Sequence, residues 1–234
     1  MRPKLAIALV VAALAALAGG ARATAGHECD GLDVCVSVTG PWVVVPAAAK
    51  TPTYYELRCP RRGMIVGGID ANVSDRAISL QFLGKIGAPV SPGVTTSNAI
   101  VFVASYVGRG RGPFSFQPLI GCMPTSGGGR GSTSLSSPSL RPGAPATWRV
   151  RTLKLRAGMT RVVTQACRPR ERLVSSSFAL AFRREESPTA DLVDAVRLTP
   201  RKRPNVAAVS VAVARYLPAG AHAEVQVDAV CGRS

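Results

Sequence analysis

Apolar and polar positions alternate along most of this chain with a period of two. In "AEVQVDAVC", residues 223–231, Val225, Val227, Ala229 and Cys231 share one face, while Glu224, Gln226 and Asp228 share the other. That alternation predicts a strand with one face in the core and one in water. In "FSFQPLIGC", residues 114–122, Phe114, Phe116, Ile120 and Cys122 fall on a single parity. Each of these cysteines therefore points with the apolar residues, and its disulfide is expected inside the core. Pro118 breaks the second run; because proline cannot donate to a ladder, it predicts an edge strand or a bulge there.

The same reading gives six strands in each half of the chain. They fall at 42–46, 54–59, 64–73, 78–83, 99–107 and 114–122, then at 148–155, 160–167, 172–182, 192–198, 206–217 and 223–230. Short strands separated by Gly and Pro turns, with helical periodicity confined to the N-terminus, define an all-β class and indicate sandwiches or small barrels. The expected architecture is two tandem small β-sandwich domains, immunoglobulin-like only in architecture, preceded by a helical signal peptide. The antibody-domain pattern itself is absent, because each Trp precedes the first Cys of its half.

The halves also repeat one another. "CPRRGMIVGG" begins at Cys59 and "CRPRERLVSS" at Cys167, 108 residues later; Cys122 and Cys231 lie 109 apart, Trp42 and Trp148 106 apart, and Tyr106 and Tyr216 110 apart. Such drifting offsets are those of a duplication with small loop insertions. Between the copies, 123–146 is a Gly, Ser and Pro tract without periodicity, a linker whose flexible span is about 27 Å. The implied organisation is a signal peptide at 1–25, an N-terminal segment with a small disulfide loop at 26–41, one β domain at 42–122, the linker at 123–146 and a second β domain at 147–234.

Six cysteines admit 15 pairings. Cys59 to Cys122 spans 63 residues and Cys167 to Cys231 spans 64, so the pairing that respects the repeat is Cys59 with Cys122, Cys167 with Cys231, and Cys29 with Cys35. Disulfides suit a chain that leaves the reducing cytoplasm. The N-terminus agrees: Arg2 and Lys4 precede an apolar run over 5–18, followed by small residues, the pattern of a secretory signal. The run is short for a membrane span, and no later stretch is long and apolar enough to anchor the chain. The expectation is a secreted or envelope-associated protein with no membrane span after signal cleavage.

The charge is strongly basic, with 29 Lys and Arg against 13 Asp and Glu. Arg outnumbers Lys by 24 to 5, which, with abundant Ala, Gly and Pro, looks like the coding bias of a GC-rich genome. Two clusters nevertheless stand out in predicted loops: Arg168, Arg170 and Arg172 in "RPRER", and Arg201, Lys202 and Arg203 in "RKR". They are the candidate polyanion contacts, since clustered cations attract anionic polymers at long range. Wall polymers, lipopolysaccharide and nucleic acid are the polyanions considered, and another extracellular protein is the other class of partner. The aromatic platforms of single-strand binders are missing.

At "CPRRGMIVGG" the chain resembles uncharacterised secreted bacterial repeat proteins with a Cys-Pro, Gly, Val-Gly-Gly pattern, and "IGCMPTSGGGR" is similar in flavour. The resemblance implies export and a β fold. It brings no activity, and no functional residues follow from it.

No set of residues amounts to a catalytic constellation, and no cofactor is implied. His222, in the turn "PAGAHAEV", lacks the fixed nucleophile and orienting acid that a hydrolase base needs. His27 with Cys29, Asp30, Asp33 and Cys35 has the ingredients of a metal site, but exported cysteines oxidise first. Asp70 with Asp75, and Glu185 with Glu186, are carboxylate pairs of the sort that hydrolyse glycosides, though such pairs arise by chance in any chain. "SGGGRGST" lacks the Gly-Lys-Ser/Thr ending of a phosphate loop, and "NVS" at Asn72 is a glycosylation acceptor only in a suitable host. Trp42 and Trp148 are expected to anchor cores. The function expected is a non-catalytic structural or binding protein, with polyanion binding as the alternative and a secreted hydrolase or inhibitor as the least favoured class.

Overall fold

The structure, a computed structural model, describes residues 27–32, 34–47, 52–61, 63–83, 98–124, 147–218 and 220–233. The segment expected to be a signal peptide and most of the tract expected to be a linker lie outside these residues. A 3-10 turn at His27–Cys29 is followed by β1 (Val36–Thr39), β2 (Trp42–Val45), β3 (Thr53–Arg58), β4 (Met64–Val73), β5 (Ile78–Leu83), β6 (Ala99–Tyr106) and β7 (Phe114–Pro124). The second half carries β8 (Thr147–Lys154), β9 (Thr160–Ala166), β10 (Glu171–Arg183), α1 (Ala190–Asp194), β11 (Val196–Arg201), β12 (Val206–Val213) and β13 (His222–Arg233). The all-β expectation holds, but β1 lies in the 26–41 segment, where no strand was expected, and the bounds of the other strands agree closely except at two places. The expected strand over 192–198 begins as one helical turn, α1, which buries Leu192 before β11 starts; five residues are too few for period to separate the two states. The strand expected over 206–217 stops at Val213.

The two halves make matching pairings. β4 and β7 correspond to β10 and β13, β1 and β2 together correspond to the single strand β8, and β3-β6-β5 corresponds to β9-β12-β11. Both β4 and β10 carry a bulge, between Val66 and Gly68 and between Leu173 and Ser175, one step beyond the residue facing the second cysteine. The registers also revise the sequence alignment. Val36 and Thr147 both face a cysteine, of β7 and β13 respectively. Trp148 therefore corresponds to Ser37, and Trp42 to Thr152. In the same way Tyr106, opposite Ile78, corresponds to Val213, opposite Val196; Tyr216 lies beyond the strand and is exposed. Aromatic residues recurring at similar offsets mimicked equivalence.

Disulfides join Cys59 to Cys122, Cys167 to Cys231 and Cys29 to Cys35. The first two tie the end of a small-sheet strand to the central strand of the large sheet, stapling two layers. Cys59, Cys122 and Cys231 are buried, as their parity requires.

A single seven-stranded sheet, β1-β7-β2-β10-β13-β8 with β4 on the far edge of β7, runs through both halves. The join is β2 against β10, with Val43 opposite Ala181 and Trp42 opposite Phe182. Successive strand residues point to opposite faces: Val43 enters the core of the first half with Ala179 and Ala181, whereas Val44 packs on that of the second with Leu180 and Phe182. The two small sheets thus sit on opposite faces of the large one, β3-β6-β5 over the first half and β9-β12-β11 over the second. Each half is a sandwich, and the layer they share is continuous.

This arrangement decides one sequence expectation and overturns another. Of the two placements expected for Pro118, an edge or a bulge, the bulge holds: β7 is flanked on both sides, and the register shifts by one residue between Thr39 opposite Leu119 and Val43 opposite Phe116. β1 pairs with it as far as Leu119 and β2 resumes at Phe116, so the absent N–H falls where the chain crosses between them, and the Pro118 carbonyl accepts from Gly40. A Cβ on Gly40 would lie 2.6 Å from the proline ring, so the crossing demands glycine. The polar face of β13 is not wet: Glu224, Gln226 and Asp228 are all buried, because β3 lies across them. Gln226 accepts from the backbone N–H of Glu56 and donates to its carbonyl, occupying the open edge of β3 as a paired strand would. Glu224 accepts from Tyr55 at 2.7 Å and from Arg183 at 3.2 Å. Burial and the Glu224 carboxylate hold the Tyr55 phenol well above its ordinary range, so it keeps its proton and donates. Trp148 packs against Tyr54 with ring centroids 5.5 Å apart.

The N-terminal disulfide loop docks only on the first half. A Cβ on Gly68 would come within 1.9 Å of the Glu28 carbonyl oxygen, and one on Gly121 within 2.0 Å of the same atom. The glycines of the Val-Gly-Gly stretch are there to seat this loop. Ser175 and Val230 stand at the corresponding positions of the second half, where no such loop docks among the described residues.

Candidate functional site

The two cationic turns named from the sequence come together at one end of the second half. Asn205, in the turn between β11 and β12, takes a left-handed backbone with φ of 53°, a conformation that Asn tolerates better than most residues. From there its carbonyl accepts from the N–H of Cys167 and its side chain accepts from the N–H of Leu173. One residue so ties the 201–205 turn to the 167–172 turn beside the Cys167–Cys231 disulfide. Between β10 and the second of these turns opens a groove of about 560 Å³, lined by Leu173, Ser176 and Phe178 on one side and by Pro200, Lys202 and Val206 among others on the opposing side. Leu173 and Phe178 pack against the second core, so the groove opens towards the space between the sheets.

Its electrostatics are one-sided. The acid in these turns, Glu171, already holds two hydrogen bonds from Arg149, at 3.1 and 2.7 Å, and one from the Arg168 backbone amide at 2.7 Å. Those bonds, Arg149 first, keep its carboxyl below the ordinary range. Arg168, Arg172, Arg201, Lys202 and Arg203 make no salt bridge among the described residues. Arg201 donates through Nε to Ser210 Oγ at 2.8 Å, which orients its guanidinium. Arg170 occupies the turn with φ of 68°.

The other sequence candidates do not assemble. Cys29 and Cys35 are a disulfide, His27 is exposed and bonded to Asp30 at 2.8 Å, and Asp33 lies outside the described residues. Cys167, Cys231 and Glu171 have ligand atoms close together, but both sulfurs are consumed in a disulfide. Asp70 accepts from the backbone of His27 and Ala71, and Asp75 from that of Ala77; both are structural acceptors. Glu185 and Glu186 border a shallow hollow with Arg184, Pro218 and Ala221. His222 is exposed at the head of β13 opposite Arg183, with no hydrogen bond to a hydroxyl or carboxylate among the described residues. "SGGGRGST" lies outside the described residues, and Asn72 is exposed on β4, bonded to Gln117. Trp42 is a buried anchor whose Nε1 donates to the Glu185 carbonyl, while Trp148 is half-buried in the seam between the halves.

Sequence reasoning named the cations but missed Asn205, Glu171, Arg149 and the apolar floor. One signal was available: Asn98 and Asn205 both immediately precede an Ala- and Val-rich strand, and the Asn98 carbonyl accepts from Cys59 as that of Asn205 does from Cys167. No protein-family model, curated protein or solved structure matches the chain.

Proposed function

We propose that this chain is an exported, non-catalytic binding protein of the extracellular space or cell envelope, and that it holds a phosphate-rich polyanion at the cationic end of its second half. Three disulfides point to an oxidising compartment, no helix among the described residues is long and apolar enough to cross a membrane, and the N-terminal signal pattern and the likeness to secreted repeat proteins agree with export. The matching pairings in both halves support descent from one duplicated, immunoglobulin-like unit. The observation that carries the binding role is the clustering of Arg168, Arg172, Arg201, Lys202 and Arg203 on and beside two turns joined through Asn205, where the local acid is already satisfied. Arg is suited to this task because its fork matches phosphate oxygens.

The test is binding of the mature protein to long-chain polyphosphate at several salt concentrations. If about six cations release counterions, affinity falls roughly a thousandfold between 50 and 200 mM salt. Replacing Arg201, Lys202 and Arg203 by Ala lowers the slope of log K against log salt by about 2 to 3. Equal slopes for the two proteins would show that the charge of this end is merely solvated.

A further inference from the structure

The groove between β10 and the 201–205 turn has a property that a plain polyanion would not use. Its floor is apolar: Leu173, Phe178 and Val206, with Pro200 and Pro204 on the wall, beneath a rim of Arg201, Lys202 and Arg203. On β10 the residues facing inward are Leu173, Ser176, Phe178 and Leu180, since they lie opposite Cys231, Ala229, Val227 and Val225. Among the described residues, β10 pairs along 171–180 only with β13, and β2 joins it only at Ala181 and Phe182. Among those residues the sandwich is open along this side, and its interior is reached between β10 and the β11–β12 turn.

We infer that this groove binds a phosphate-headed lipid, its hydrocarbon chain lying along Leu173, Phe178 and Val206 and its head held by Arg201, Lys202 and Arg203. The inference rests on the polyanion reading of the same site and makes it more specific: the anion that fits best carries a chain. The volume of about 560 Å³ lies within the usual range for a small-molecule site. Charge complementarity selects an anionic occupant. Outside the described residues the one Asp or Glu is Asp33, while Lys50, Arg62, Lys85, Arg130 and Arg141 are basic. The anion inferred belongs to another molecule, and an apolar channel beneath a cationic rim favours an amphiphile over a fully hydrophilic one.

The test compares decyl phosphate, below its micelle concentration, with ethyl phosphate and with polyphosphate, each titrated into the mature protein by calorimetry. Decyl phosphate is expected to bind about a hundredfold more tightly than ethyl phosphate, the increment for burying about four methylenes. Ser176→Trp, at an exposed position that lines the groove, fills the channel and leaves the core residues in place. It is expected to bring decyl phosphate down to the level of ethyl phosphate while polyphosphate binding is unchanged. Lys202→Glu weakens all three ligands. Equal affinities for the two alkyl phosphates, or tight decyl phosphate binding by Ser176→Trp, overturn the lipid inference while the polyanion reading stands on its polyphosphate arm. Absence of polyphosphate binding by the unaltered protein removes that reading too.

Discussion

Asp228 offers a quantitative check on the seam between the halves. Its carboxyl is fully buried on β13, accepts from Ser177 at 2.8 Å through Oδ2, and leaves Oδ1 without a partner. Burial raises its pKa from 3.8 to about 8; the Ser177 hydroxyl and the nearby Trp148 indole pull down, and the Glu56 charge pushes up. The folded protein therefore holds a proton that the unfolded chain releases near 3.8. Stability from this group is fully present below that value, declines as pH rises, and is lost once pH passes about 8. From pH 5 to pH 8 the linkage amounts to about 3 to 4 kcal/mol. Asp228→Asn retains the shape and abolishes the titration. Guanidinium unfolding followed by tryptophan fluorescence, with disulfides intact, is expected to show the unaltered protein weakening by that amount over this range and the variant weakening much less. His27, whose pKa Asp30 raises, loses its contribution in the same direction in both proteins and cancels in the comparison. Identical pH profiles for the two would refute a protonated, buried Asp228.

Two further substitutions probe the interfaces. Gln226→Ala strips the backbone N–H and C=O of Glu56 of their partner and is expected to cost about 1 to 3 kcal/mol in denaturant unfolding; a loss under about 0.5 kcal/mol, typical of an unconstrained surface site, would contradict the edge-capping role. Gly121→Ala places a methyl 2.0 Å from the Glu28 carbonyl oxygen and is expected to lift the N-terminal loop. Faster reduction of Cys29–Cys35, with the other two bridges unaffected, is the readout; an unchanged rate would mean that the loop does not depend on the glycine notch.

Much of the fold was legible because the strongest signals were covalent or periodic. Matching intervals between cysteines gave the three disulfides, and alternation located most of the strands, including the parity that buries Cys122 and Cys231. What failed was whatever depended on a distant neighbour. Alternation assigned Glu224, Gln226 and Asp228 to water because it reports which residues share a face and not what covers that face. Pro118 left an edge and a bulge open because the break between β1 and β2, which spares its missing N–H, belongs to a different stretch of chain. Val36 and Val38 did alternate, but β1 is only four residues long. The Trp and Tyr correspondences failed because insertions at turns shift an alignment by a few residues, which matters when the structural period is two. For the candidate site, charge named the two turns; their meeting through Asn205 and the groove beside the second of them needed three dimensions.

The joint between the halves is head-to-tail: β2 of the first unit meets β10 of the second, leaving their counterparts, β4 and β8, at the outer edges. Such a joint has no built-in end, and a third unit would find the same kind of edge waiting. Two details stop concatenation at a pair. β4 gives way to a turn at Ser74 and Asp75, where the register of β10 would call for Ala181 and Phe182, and β8 carries the exposed Arg151 and Lys154 along the strand that a newcomer would approach. Charge on an outer strand discourages further pairing, so part of this protein's basicity serves to keep a chain of two from becoming a fibre.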